Sequence, residues 1–280
     1  MYKVKIVNSN GEELTLTQRE NDYQITNIIG LNPPNANIVT TPIVGTDGAR
    51  FNSAKLETRE IVLTVVINGN VAANRMRLFN FFPTKDKVKI YYSSPVRSVF
   101  IDGYVSSFEV GLFDQHQTAQ IAILCPYPYF KGMDEILLEL SSRTSLFTFP
   151  FSIETPIPFS EVGEEDGGEI FNSSTVEVGA LIRLVFTGAV STLTITDNRT
   201  GEFFKISYSF QADDVVEINT RKGEKSVKLY RDGDEISIFS AVDMDSTFFQ
   251  LRPGENSFRF TADVDYVSVY FNFRNEYRGV

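Results

Sequence analysis

Ile121-Ala-Ile-Leu-Cys-Pro-Tyr-Pro-Tyr-Phe130 is an alternating strand that runs into two prolines. Ala119, Ile121, Ile123 and Cys125 fall on one face by the period-two rule, which reads as a half-buried strand. Pro126 and Pro128 each remove a backbone donor and bias the preceding residue, Cys125 or Tyr127, toward extended conformations. The ladder is expected to stop here, and the chain to leave the sheet as a stiff, aromatic-rich exit. This sets a boundary near the middle of the sequence, with residues 1–133 and 134–280 as two β-rich domains.

Upstream of the boundary the same alternation recurs. Tyr2, Val4 and Ile6 face one way and Lys3 and Lys5 the other, and Asn8-Ser-Asn-Gly11 turns the chain toward Leu14 and Leu16. Residues 31–50 are rich in Pro, Gly and Asn and read as a long loop or extended arm, a length that compact domains seldom carry without a contact to make. Ile61, Leu63, Val65 and Ile67 mark the strongest strand of this half. Residues 71–82 read as the one sizeable helix, capped by Asn70 and stopped by Pro83. Ala72, Met76 and Phe79, flanked by Val71, Leu78 and Phe82, form an apolar stripe expected to pack on the sheet. Strands are expected again at 88–93, 98–105, 106–113 and 117–124, with Asp114-Gln-His116 as a tight connection.

Downstream, an alternating Phe147, Phe149, Phe151 run leads to Pro156 and Pro158 and then to the acidic stretch Glu161–Glu169. From Gly179 onward, short strands recur between the turn signals Asp197–Gly201, Arg221–Gly223, Arg231–Asp234 and Arg252–Glu255. This is the spacing of a β-sandwich of the jelly-roll kind. The fold class is all-β.

The chain has 36 acidic against 26 basic residues, a net charge of −10, which disfavours a nucleic-acid wrapper or attachment to anionic membranes. One cysteine, Cys125, leaves no internal disulfide, as suits folding in a reducing cytoplasm. The opening Met1-Tyr-Lys-Val-Lys-Ile6 is a strand pattern rather than a signal peptide. No stretch approaches the roughly 18 apolar residues of a membrane helix.

Catalytic chemistry is hard to assemble from these residues. His116 is the one histidine, on an expected turn, so a histidine-based triad and a zinc site both lack ligands. No Gly-rich phosphate loop joins a strand to a helix. Carboxylates pair at Glu164, Glu165 and Asp166, at Asp213 and Asp214, at Asp232 and Asp234, and at Asp243 and Asp245. A glycosidase needs two of them about 5–10 Å apart across a cleft, whereas most of these sit at turns where solvated acids belong. Asp232-Gly-Asp234 with Glu235 has oxygen ligands for calcium but lacks the full loop pattern. Asn172-Ser-Ser174 and Asn198-Arg-Thr200 match the glycosylation sequon, a short pattern that recurs by chance. The expectation is no catalytic residue, no metal, no cofactor and no enzymatic activity.

A set of motifs in fixed order runs along nearly the whole chain. The first half carries Ile28-Ile-Gly-Leu-Asn-Pro-Pro34, Gly45-Thr-Asp-Gly-Ala-Arg-Phe51, Arg59-Glu-Ile-Val-Leu63, Ile67-Asn-Gly69, Asn74-Arg75, Gly103-Tyr-Val105 and Cys125-Pro-Tyr-Pro-Tyr-Phe130. The second carries Phe149-Pro-Phe151, Thr200-Gly-Glu202, Val216-Glu-Ile-Asn-Thr220 with Gly223, Phe249-Gln-Leu-Arg-Pro-Gly-Glu-Asn256 and Tyr277-Arg-Gly-Val280. In these motifs the chain resembles the distal tail protein family of siphophages that infect Gram-positive bacteria, and related prophage tail components. It departs from the pattern where Asp213-Asp214 stands for a usual Gly-Asp and Asn172-Ser173 for a frequent Asn-Gly.

The resemblance implies two β-sandwiches. Residues 1–133, with one helix and a long arm or hairpin, would form a hexameric ring, a homo-hexamer at the tail tip. Residues 134–280 would be a galectin-like or carbohydrate-module-like sandwich pointing outward. The ring would join the tail tube protein to a tail-associated fibre or lysin protein. The outer domain would be where a receptor-binding protein attaches or host cell-wall polysaccharide is met. The protein would be made in the host bacterial cytoplasm and end in the virion. Acidic side chains lining the ring lumen would repel passing DNA. The competing reading is a two-domain lectin for cell-wall polysaccharide, with Tyr208, Tyr230, Tyr266 and Tyr270 stacking on sugar rings.

Overall fold

The computed structural model describes residues 2–19, 22–112, 116–140, 143–145, 160–162, 166–262 and 267–280. The expected features at Asp114, Gln115, Phe147, Phe149, Phe151, Pro156, Pro158, Glu164, Glu165 and Tyr266 lie outside them. The chain divides into two compact units, Met1–Met133 with Glu276–Val280, and Asp134–Asn275. The sequence reading carried the second domain through to residue 280; Glu276–Val280 group with the first unit instead, because Tyr277 is buried in that unit's core.

The first unit runs β1 (Lys3–Val7), β2 (Glu13–Leu16), β3 (Tyr23–Ile29), β4 (Ala36–Pro42), β5 (Ala49–Leu56), β6 (Arg59–Ile67), α1 (Val71–Phe81), β7 (Lys87–Ser93), β8 (Ser98–Val110), β9 (Thr118–Cys125) and β10 (Phe130–Gly132). Its main sheet is ordered β2-β1-β7-β8-β9-β6-β3, with β10 beside β8. Every strand of that order alternates, and the inward set (Val4, Ile6, Ile61, Leu63, Val65, Ile90, Ile101, Ile121 and Ile123 among them) meets in one core. The sheet folds over itself until its outer strands touch, with Ile25 N donating to Thr17 O at 3.0 Å. The two layers of this sandwich are therefore continuous, and the edges that would invite pairing with a stranger close on each other.

Two local readings are corrected. The strands expected at 98–105 and 106–113 are one strand, β8, bent by a register shift between Val105 and Ser107; a bulge turns a strand without ending it. In α1, Asn70 Oδ1 accepts from Ala73 N at 3.3 Å, as a cap should. The residues buried against the sheet, however, are Leu78, Phe81 and the following Phe82; Met76 is exposed, and Phe79 lies at the rim against Phe108.

The second unit comprises β11 (Ile136–Leu140), β12 (Arg143–Ser145), β13 (Ser160–Val162), β14 (Asp166–Asn172), β15 (Leu181–Phe186), β16 (Val190–Asp197), β17 (Phe203–Phe210), β18 (Val215–Asn219), β19 (Ser226–Arg231), β20 (Asp234–Ser237), β21 (Gly254–Ala262) and β22 (Val267–Phe273). Two antiparallel sheets, β11-β22-β15-β18-β19-β20 and β14-β21-β16-β17, face each other. Aromatic pairs join them: Phe186 stacks on Phe210 at 4.3 Å and Phe258 on Phe271 at 5.1 Å. Each such ring, fully buried, stabilises by about 1.5–3 kcal/mol. This is a β-sandwich. The remaining strand, β23 (Glu276–Tyr277), pairs with β10 in the first unit.

Candidate assembly surface

The arm expected over 31–50 is a hairpin of β4 and β5, reaching from Ala36 to Leu56. A strand pair needs an apolar face buried against something, and an isolated hairpin is marginal in water. Here almost every residue of both strands is exposed. Ile38, Val39, Ile43, Val44 and Phe51 are large apolar side chains in solvent, Val44 completely so. So many large apolar side chains exposed on one element mark an interaction site.

The root of the arm, by contrast, is held fast. Arg59 at the start of β6 is buried, its guanidinium lying 4.5 Å from the centroid of the Phe130 ring. Nε donates to Pro128 O at 2.8 Å, Nη1 to Asn32 O at 2.6 Å and to Gly30 O, and Nη2 to Arg278 O. One side chain thus fastens the arm root, the proline-rich exit and the returning segment. Burial lowers its pKa from the usual arginine value. Gly30 has φ +94°, and a Cβ there would stand 2.1 Å from Glu60 O, so the arm can leave the sheet this closely only through glycine. Asn35 O, accepting from Glu57 N at 2.9 Å, closes the base of the hairpin.

Several of the carboxylates singled out in the sequence serve turns and pairs among the described residues. Asp214 accepts from Arg231 Nε at 2.8 Å and Nη2 at 2.5 Å and from Gln211 N at 2.8 Å. The hydrogen bond from Arg231 is the main reason its pKa lies below the ordinary aspartate value. Asp213 holds φ +69°, so it supplies the left-handed residue for which a glycine was expected. Asp232 and Gly233, both at positive φ, make the two-residue turn between β19 and β20. Asp243 Oδ1 accepts from Asp245 N at 3.0 Å within its own turn. Among the described residues no group of three His, Cys, Asp or Glu is placed to hold a metal ion. His116 is exposed.

Other candidates are also accounted for locally. Asn172 is buried, its amide donating to Leu251 O at 2.9 Å and Val176 O at 3.3 Å, so that sequon faces the interior. The tyrosines offered as a sugar platform are not gathered: Tyr208 lies on β17, while Tyr230 on β19 and Tyr270 on β22 are separated by β18 and β15. Tyr230 bonds Glu217 Oε2 at 3.3 Å, and Tyr208 packs against Phe210 at 5.6 Å. No helix among the described residues is long and apolar enough to cross a membrane.

Charge is divided unequally between the units. The first carries 14 Lys and Arg against 12 Asp and Glu, the second 12 against 24. The acidic excess thus belongs to the second unit.

Residues 173–277 match the model of a family described as siphovirus-type tail component, C-terminal domain. Most of the second unit thus carries the pattern of that family. The resemblance to distal tail proteins read from the sequence is borne out. The fold of the chain is shared with the SPP1 Dit protein, a paradigm of the hub adsorption apparatus in Gram-positive infecting phages. There the TM-score is 0.69 at 16% identity, over 98% of each chain. It is also shared with chains of the phage P2 baseplate in its activated conformation, with Ca (TM-score 0.51, 11% identity) and with Sr (0.51, 12%), over 100% of both chains in the Ca structure. No curated protein matches the sequence.

Proposed function

We propose that this protein is the hub of a phage tail tip. Six first units form a hexameric ring that joins the tail tube protein to a tail-associated fibre or lysin protein. The second unit is the outer domain, on which a receptor-binding protein docks or host cell-wall polysaccharide is met. The role is architectural, without catalysis, cofactor or specific nucleic-acid binding, and the protein resides at the tail tip of the virion.

The observation that carries this reading is the arm. A hairpin rigidly rooted by Arg59, yet without a core of its own, is what an assembly subunit needs and a monomer does not. The shared fold with SPP1 Dit across nearly the whole chain adds to it. A lectin reading has no gathered aromatic platform among the described residues in its favour.

Negative-stain electron microscopy of the purified protein, with light scattering for mass, tests the proposal. Sixfold rings of about six times the 31.6 kDa chain mass are expected. A uniform monomer at all concentrations, unchanged by added tail tube protein, would overturn it.

A further inference from the structure

One flank of α1 leaves large apolar side chains partly in solvent. Met76 is 54% and Phe79 39% exposed, and Phe79 is held edge-on to Phe108 at 5.0 Å. Beside this face runs a groove of about 720 Å³ whose lining includes Leu14, Tyr23, Met76, Arg77 and Phe81. Arg75 and Arg77 are the charged residues of α1, which has no acid. Arg75 is engaged with Gln117 Oε1 at 3.0 Å, whereas Arg77 has no ion pair among the described residues. On the other wall Glu13 is paired with Lys5 at 2.7 Å, and Glu12 accepts from Asn8 Nδ2 at 2.9 Å.

The arm tip is the complement of this groove. From Ala36 to Ala49 its one charged residue is Asp47, and Ile43 and Val44 stand exposed beside the turn. The seven residues of β4 span about 23 Å at ~3.3 Å per residue. Almost all of that length is exposed.

We infer that the arm tip of one copy seats in the groove beside α1 of the next, with Ile43 and Val44 on Leu14 and Met76 and Asp47 facing Arg77. The inference rests on the ring reading and names its contact. Arm and groove are different surfaces of one unit, so a head-to-tail contact between them, repeated through a rotation that closes, builds a ring. Arm-on-arm pairing would stop at a dimer.

Cysteine cross-linking tests the seating, because the native Cys125 is buried and both sites are solvent-exposed. Under mild oxidation, V44C/M76C is expected to give a ladder of covalent oligomers ending in one closed species. V44C mixed with M76C should give mixed dimers in preference to either self-dimer. Asp47→Arg or Arg77→Asp alone should lower the ring population at least tenfold, and the two reversals together should restore it. Rings that persist without a 44–76 cross-link would overturn the seating and leave the ring reading standing. Self-pairing of V44C as efficient as mixed pairing would overturn the seating in favour of an arm dimer. Monomers without any cross-link would overturn both.

Discussion

Arg59 satisfies four backbone carbonyls inside the first unit, and nothing else nearby could replace its planar fork. Arg59→Met should therefore cost about 3 kcal/mol or more, since stranded buried acceptors cost about 1–3 kcal/mol each. Arg59→Lys should recover only part of this, and thermal unfolding of the two variants would measure the order. Asp213 sits at φ +69°, where an L-residue is strained by about 1–2 kcal/mol and Asp is among the better tolerated. Asp213→Gly should be neutral to stabilising by up to about 1 kcal/mol in denaturant titrations. Asp214 has a depressed pKa in the folded state through its hydrogen bond from Arg231. Its stabilisation is present above the unfolded aspartate value, about 3.9, and is lost as pH falls through the folded value. Asp214→Asn should flatten that acid limb in stability measured between pH 2 and 5. Cys125, buried, has its thiol pushed up to about 12. It should ignore disulfide reagents at pH 8 until the protein is unfolded.

The strands were legible because a sandwich strand has one dry and one wet face, as Ile61, Leu63, Val65 and Ile67 declare. The phase of α1 was not. Alanine, methionine and phenylalanine run around so much of its surface that periodicity alone does not choose between Met76–Phe79 and Leu78–Phe81. The packing of Phe81 and Phe82 at 4.8 Å beneath the helix decides it. The arm was visible as a Pro- and Gly-rich irregularity, but its hairpin register was hidden, because neither strand carries the alternation that burial imposes. Arg59 was quoted as part of a motif without a role; no local spacing announces a side chain whose acceptors at Gly30, Asn32, Pro128 and Arg278 are so widely spread along the chain. Replacing Ala36–Leu56 by a short Gly-containing turn should leave the unfolding midpoint within a few degrees of the parent, since no buried core residue is removed. It should abolish rings, as microscopy would record.

At the scale of the molecule, the units differ in charge as well as in sequence. The fragment 134–275, with 24 acids against 12 bases, should elute from an anion exchanger at higher salt than the intact chain. The first unit is closed by residues from both ends of the described chain. β23 lies against β10, Tyr277 sits under Arg97 at 3.6 Å, and Arg59 takes a carbonyl from Arg278. On the ribosome, the whole second unit is therefore made before the first can be finished. A nascent chain broken off anywhere before residue 276 leaves Arg59 short of an acceptor and β10 without its neighbour. The order of synthesis thus leaves every truncated product with an unfinished first unit, marked out from intact copies by its unpaired strand edge.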